Sequence, residues 1–391
     1  MVRRKSARAR LCPICNQPMR KKGFTSAGRQ RWKCDACNSS TTVRREDRTR
    51  LMQFHAFLDW VSGRLTAAQA GERLGVSART FHRATAWCWN VRPGIRPDGV
   101  VHRFVQADGT FTQHGWGVLI AIDERGRVIA WQWCGHENRH AYRRLFSRIA
   151  PPDLLVCDGN AACGSAAATA WPGTPIQRCM VHVIRDTKRD LTGRPRTPAG
   201  RELLALARRL GRIHDRRAAT RWQTDLNDWH ATHGDFIKQR TMASSDPTNP
   251  KALAGRRWWW KHERLRRAYF RLARLLARGE LFAALTIDES LPPTTNMLEG
   301  GVNADIKRVL DAHRGLNEEH MRRCCEWVAY LKSDRPDPDR FVTPDAWKPT
   351  RRMTTTPGPK EGTITDVQRP APGVDAYESG FGIRTGWAGR T

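Results

Sequence analysis

"RFVQADGTFTQHGWGVLIAIDERGRVIAWQWCG", residues 103–135, is the stretch whose reading decides the fold. It holds three short β-rich runs separated by glycines and charged turns, which predicts three consecutive strands. An amphipathic pattern over 137–150 then predicts a helix. "LLVCDG" (154–159) reads as a buried strand ending on Asp158, and "NAACGSAAATA" (160–170) as a helix of small residues. Three strands, helix, strand, helix make a mixed sheet of the α/β class. Two acids stand out in it. Asp108 is expected at the end of the first strand and Asp158 at the end of the fourth, each followed by glycine. Sites in open α/β sheets gather at strand ends. Singly, each acid also reads as a strand-end Asp that opens a turn.

The remaining composition narrows the class of partner. Among 391 residues, 68 Lys and Arg stand against 38 Asp and Glu, a formal charge of +30. Such an excess points first to a polyanion, because every neutralised phosphate releases condensed counterions. No apolar run of bilayer length and no signal peptide is found, so a soluble intracellular protein without a membrane role is expected. Eleven cysteines, an odd number, argue for reduced thiols rather than a disulfide framework.

Four of those cysteines are patterned. "CPIC" and "CDAC" set Cys12, Cys15, Cys34 and Cys37 as C-x2-C-x18-C-x2-C, which predicts a closed, structural Zn2+ site with four sulfur ligands. Residues 1–45 are therefore read as a zinc ribbon. Residues 46–97 are read as a helix-turn-helix unit: Thr66 caps one helix, Gly75 makes the turn and Ser77 caps the next. In that arrangement Arg79, Thr80, His82 and Arg83 face DNA. A plain helical hairpin without a ligand is the alternative.

"TTNMLEGGVNADIKR", residues 294–308, admits two readings. One is a capping box in which Asn296 caps a helix and Glu299 reaches back to it. The other is a metal-binding carboxylate. Gly300 and Gly301 disfavour a helix by about 1 kcal/mol each relative to Ala. A cap gives no reason for them, whereas close approach of DNA or metal does. Asn303 and Lys307 follow at steps of four on the face of Glu299, suited to contacting a substrate backbone.

Taken in order, "DGT" at 108–110, "VCDG" at 156–159, "WPGTPIQRCMVHVIRD" at 171–186 and the 294–308 segment resemble the DDE transposases of the bacterial Mutator-like insertion-sequence group. The resemblance spans roughly residues 100–333. It implies a ribonuclease-H-like mixed sheet with an all-α insertion, and a catalytic trio of Asp108, Asp158 and Glu299. It divides the chain into a first catalytic part at 98–192, a helical insertion at 193–290 and a last catalytic part at 291–333. Cleavage and strand transfer of phosphodiesters need an activated nucleophile and a stabilised leaving oxygen, which two Mg2+ ions (or Mn2+) supply between carboxylates. Asp108 is then expected to bridge the ions, with Asp158 and Glu299 each anchoring one. The implied partners are double-stranded DNA, as the element's terminal repeats and as target, and a second copy of the chain or a larger assembly. The implied location is the bacterial cytoplasm, at the nucleoid. Cys179 and His182 match a Cys-x2-His of the family and are expected to support the site by packing.

Within the insertion, Trp222 and Trp229 are expected in a helical core. Trp258, Trp259 and Trp260 cannot all face inward on a helix, so at least one is expected to be exposed or at an interface, where stacking on a flipped or unpaired base is one role open to it. Residues 334–391, rich in Pro, Gly, Thr and charge, read as a disordered basic tail. The rival functional class is a zinc-ribbon and helix-turn-helix regulator, or an inactive transposase remnant, in which the carboxylate trio has no work.

Overall fold

The structure, a computed structural model, describes residues 10–26, 28, 30–42, 46–112 and 115–347. They divide into two compact units, one within Met1–Gly94, Arg308–Leu331 and Arg335–Gly358, the other within Ile95–Lys307 and Lys332–Asp334.

The first unit begins with a four-stranded antiparallel sheet, β1 (Arg10–Leu11), β2 (Pro18–Phe24), β3 (Gln30–Cys34) and β4 (Ser40–Thr41), in sequential order. Three helices follow: α1 (Glu46–Val61), α2 (Ala67–Arg73) and α3 (Ala78–Thr85). Local chemistry fixes their starts. The Thr66 hydroxyl accepts from the Gln69 N–H while the Gln69 carboxamide accepts from the Thr66 N–H, a reciprocal cap. Ser77 accepts from the Thr80 N–H, and Gly75 turns the chain with φ +65°. Gly71 is required by packing, since a Cβ there would lie 2.7 Å from the Val76 carbonyl oxygen. Phe54, Phe57, Val61, Ala70 and Phe81 are buried.

The second unit is built on a five-stranded mixed sheet. Its strands are β5 (Val105–Phe111), β6 (Gly117–Ile122), β7 (Val128–Cys134), β8 (Leu155–Cys157) and β9 (Ile176–Arg178), in the order β7-β6-β5-β8-β9. The first three pair antiparallel, and β8 and β9 add parallel to β5. Helices α4 (Arg139–Phe146) and α5 (Ala161–Ala170) join this frame, and their Leu145, Phe146, Ala166 and Ala167 share a core with Val105, Ala107, Leu155 and Cys157 of the sheet. The mixed α/β architecture expected from residues 103–170 is what the chain adopts, with β9 as one further strand. Asp108 is a correction in detail: β5 continues three residues beyond it, paired to β6 as far as Phe111↔Gly117, so it lies inside the strand.

Past α6 (Met180–Leu191), the chain forms α7 (Pro198–Arg209) and α8 (Arg216–Ile237). Strand β10 (Arg240–Met242), the short α9 (Pro250–Leu253), strand β11 (Trp258–Trp260), α10 (Glu263–Ala277) and α11 (Ala283–Ile287) complete this region. Trp222 and Trp229 are buried, their indole N–H groups donating to the Leu206 and Ala199 carbonyls. The insertion is not all-α. The three tryptophans form β11, paired antiparallel with β10, because a strand alternates its side chains where a helix would crowd them.

A π-helical turn, Leu298–Asn303, leads into α12 (Ala304–Ala312), within which the unit boundary falls. Helix α13 (Glu318–Leu331) belongs to the first unit rather than to the last catalytic part expected over 291–333. There Trp327 packs edge-on against Phe54, and the Cys324 thiol donates to the Val61 carbonyl. The first part of the expected tail is folded. Residues 338–341 form a 3-10 turn and Pro344–Trp347 a short helix, α14, with Phe341 against Trp327 and Tyr330. The rest of the expected tail, 348–391, lies outside the described residues.

Candidate active site

The parallel register lines up the ends of β8 and β9 with the middle of β5. Ala107 of β5 pairs with Cys157 of β8, which pairs with Arg178 of β9. One step further along the same register come Asp108, Asp158 and Cys179, on strands about 4.8 Å apart. Side chains alternate along β5, so Gln106 and Asp108 share a face. Buried Gln106 anchors the 294–298 segment on that face, donating to the Thr294 carbonyl (3.0 Å) and accepting from the Leu298 N–H (3.2 Å). The Met180 N–H donates to the Pro293 carbonyl, the Thr295 N–H donates to the Cys179 thiol sulfur (3.4 Å), and the Thr295 hydroxyl oxygen lies 3.2 Å from that sulfur. These ties bring Glu299 to the sheet from far along the chain.

Glu299 is not a helix cap. The helix starts at Asn296, and the Glu299 carboxylate accepts from the Thr295 hydroxyl instead of a backbone N–H. The glycine pair lies in the π-helical turn, where a Cβ on Gly300 or Gly301 would meet nothing within 4 Å. The chain's own packing therefore makes no demand for either, and the approach beside Glu299 stays open. Single π-turns inside helices occur frequently at functional sites.

Asp108 is buried, and its carboxyl is pushed up to about 8, chiefly by burial and then by the charges of Asp158 and Glu299. Two carboxylates from distant segments thus act on Asp108. Asn303 corrects an expectation. It is buried rather than facing DNA, and its amide donates to Asp108 Oδ2 at 2.9 Å, holding that carboxylate in place. Lys307, one turn on, is exposed.

Glu137, just before α4, is a fourth acid of this cluster and was not singled out in the sequence. It accepts from the Tyr142 hydroxyl (2.7 Å) and the Asn160 amide (2.8 Å). Burial, followed by the charge of Asp108, raises its carboxyl to about 8. The glycines after the two aspartates have their reason here. A Cβ on Gly109 would lie 1.8 Å from Glu137 Oε1, and one on Gly159 (φ +102°) would coincide with the Arg178 guanidinium. They admit neighbouring side chains of the chain itself, not the ligand expected from sequence. Gly109 beside an acid was the available signal for Glu137, but its partner lies 28 positions away, beyond any local pattern.

Cys179 and His182 adjoin Glu299 directly. His182 Nδ1 lies 3.6 Å from Glu299 Oε1, and Cys179, His182 and Glu299 offer ligand atoms all within 4.8 Å of one another. Burial works to raise the Cys179 thiol, but hydrogen bonds with His182 and Thr295 outweigh it and lower it. Burial likewise opposes His182 protonation, yet the Cys179 contact and the Glu299 charge carry it to about 9.

The zinc-type cluster lies in the first unit. Cys12 Sγ is 3.5 Å from Cys37 Sγ and Cys15 Sγ is 3.4 Å from Cys34 Sγ, with all four sulfurs within 4.8 Å. Tetrahedral zinc with sulfur ligands at ~2.3 Å sets its sulfurs ~3.8 Å apart, so this group can hold a zinc ion. On α3, Arg79, His82 and Arg83 are exposed, while Thr80 is drawn into the helix cap with Ser77. Among the described residues, no helix is long and apolar enough to cross a membrane. No protein-family model matches the chain, and no curated protein matches it.

Proposed function

We propose that the chain is a DNA transposase of the DDE type, similar to the bacterial Mutator-like insertion-sequence group, that binds the ends of its own element, cuts there and joins the ends to target DNA. The observation that carries this reading is that the charges of Asp158 and Glu299, brought from distant segments, act on buried Asp108 and add to the effect of burial in raising its carboxyl to about 8. Support for a ribonuclease-H-like sheet comes from the strand order β7-β6-β5-β8-β9, three antiparallel strands followed by two parallel ones.

The donor set fits hard divalent cations. It consists of carboxylate oxygens, and Asp108 keeps its proton near neutral pH unless a cation replaces it. Asp108, Asp158 and Glu299 would hold Mg2+ or Mn2+; a bound pair of such ions supplies an activated nucleophile and a stabilised leaving oxygen in phosphodiester chemistry. The chain's own residues do the positioning. Asn303 fixes one oxygen of Asp108, and Gln106 and Thr295 fix the segment that carries Glu299. Glu137 and Asn160 buttress the turn after Asp158, whose Oδ1 accepts from the Asn160 N–H. Duplex recognition is assigned to Arg79, His82 and Arg83, with Lys307 as a further phosphate contact. The charge of +30 favours such a partner. Bringing two ends together requires at least a dimer, working on the bacterial nucleoid.

Ferrous iron in place of Mg2+, with ascorbate and peroxide, cuts a polypeptide beside its metal site. Cuts near residues 108, 158 and 299 that excess Mg2+ suppresses are expected. Cuts confined to other segments would remove the metal assignment.

A further inference from the structure

One feature of the second unit has no part in the carboxylate cluster. In the hairpin, Arg240 pairs with Trp260, Thr241 with Trp259 and Met242 with Trp258. Strand alternation therefore sets Arg240, Met242, Trp258 and Trp260 on one face and Trp259 on the other. Trp259 is buried at 8% exposure, whereas Trp258 is 37% and Met242 51% exposed. Rings and guanidinium groups alternate along the open face. Arg240 lies 4.1 Å from the Trp258 ring centre and 5.0 Å from that of Trp260, and Arg266 lies 3.9 Å from Trp260 and 4.5 Å from Phe270. Cation–π contacts of this length hold the rings, and Trp258, with Arg240 against it, still keeps 37% of its surface exposed.

Charge selects the partner. Between residues 256 and 271 the sole acid is Glu263, which pairs with Lys251. Among the described residues, Arg240, Arg257, Lys261 and Arg266 show no ion pair with a carboxylate. An apolar protein surface would leave these cations unmatched, but a phosphate backbone matches them. A duplex keeps its bases stacked on each other, so an exposed indole gains a partner only where bases are unpaired.

We propose that this hairpin face is a stacking platform for unpaired bases of a nucleic-acid strand, with Trp258 as the base contact and Arg240, Arg257 and Lys261 meeting the phosphates. The proposal rests on the reading that the chain works on DNA, but its test reads binding rather than cleavage, so the two fail separately. Full-length protein is titrated against a labelled oligothymidine and a labelled blunt duplex at one salt concentration, following anisotropy. Trp258→Ala is expected to weaken the single strand by about 5- to 150-fold and the duplex by less than about 2-fold, with Trp258→Phe restoring most of the loss. Equal loss on both ligands, or none on the single strand, would overturn the proposal. So would Trp258→Ala turning an assembly into monomers, seen by light scattering, with single-strand binding intact, which would make the face a protein interface. A second measurement does not depend on the variant folding. Wild-type protein is irradiated with a 5-iodouracil oligonucleotide, and the crosslinked peptide is expected to contain Trp258; crosslinks found only elsewhere would also overturn the proposal.

Discussion

Replacing Asn303 by Ala tests how the carboxylate cluster is held. The Asn303 amide donates to Asp108 Oδ2 at 2.9 Å in a buried setting. A hydrogen bond to a charged group contributes about 1.5–3 kcal/mol. That bond favours the ionised carboxylate, so its loss lifts Asp108 further above its value of about 8. At 1.36 kcal/mol per pH unit the rise is about one to two units. A divalent cation must displace that proton. Near neutral pH, Mg2+ or Mn2+ affinity should therefore fall by about 10- to 150-fold, with the deficit narrowing as pH rises past 9. Calorimetric titration of wild type and Asn303→Ala at pH 7, 8 and 9.5, with thermal unfolding as a fold control, reads both features. Equal affinity, or a deficit that does not change with pH, would refute the reasoning.

Three further outcomes are expected. Gly109→Ala drives a Cβ into Glu137 and should cost about 2–4 kcal/mol in urea unfolding, because the buried carboxylate loses its Tyr142 and Asn160 donors; Gly109→Ala with Glu137→Ala should recover most of this, and no recovery would exclude the clash as the cause. Glu137 is raised in the folded state, so its contribution to metal-free stability is full below the ordinary carboxyl range and disappears as pH rises through about 8; Glu137→Gln should remove on the order of 1–2 kcal/mol of the stability lost between pH 6 and 9, measured by denaturation at both. Chelation of zinc, or Cys34→Ser, should open residues 10–42 to proteolysis while the α/β unit keeps its melting temperature, and an unchanged digest would argue against a structural metal.

Local chemistry made part of this legible. Cysteine spacing gave the four-sulfur cluster, because two tight turns aim thiols without help from distant residues. The starts of α2 and α3 and the turn between them followed from Thr66, Gly75 and Ser77, whose roles are local hydrogen bonds and a positive φ. Asp108 and Asp158 were found as acids next to glycine, yet the purpose of those glycines depends on Glu137 and Arg178, contacts that only the tertiary fold supplies. Asn303 was read as a substrate contact, whereas its amide is tied to Asp108. Periodicity fixes which residues share a face, not what that face meets, and Gln106 decides that from the sheet. Trp258–Trp260 sat in a basic, helix-rich stretch and was read with its flanks. Three consecutive aromatics favour a strand, and the Arg240–Met242 partner that makes one lies across an intervening helix.

The central claim is that Glu299 is a metal ligand of a DNA-cutting centre. Its most direct test is a labelled DNA fragment carrying the element's own ends, incubated with Mg2+ and either wild type or Glu299→Gln, with binding and strand cleavage read on the same samples. The account predicts that both bind equally, that wild type nicks at the ends and that Glu299→Gln does not. Equal binding with no cleavage by either protein, across Mg2+ and Mn2+ and DNA lengths, would contradict it and leave a DNA-binding protein with a silent α/β unit.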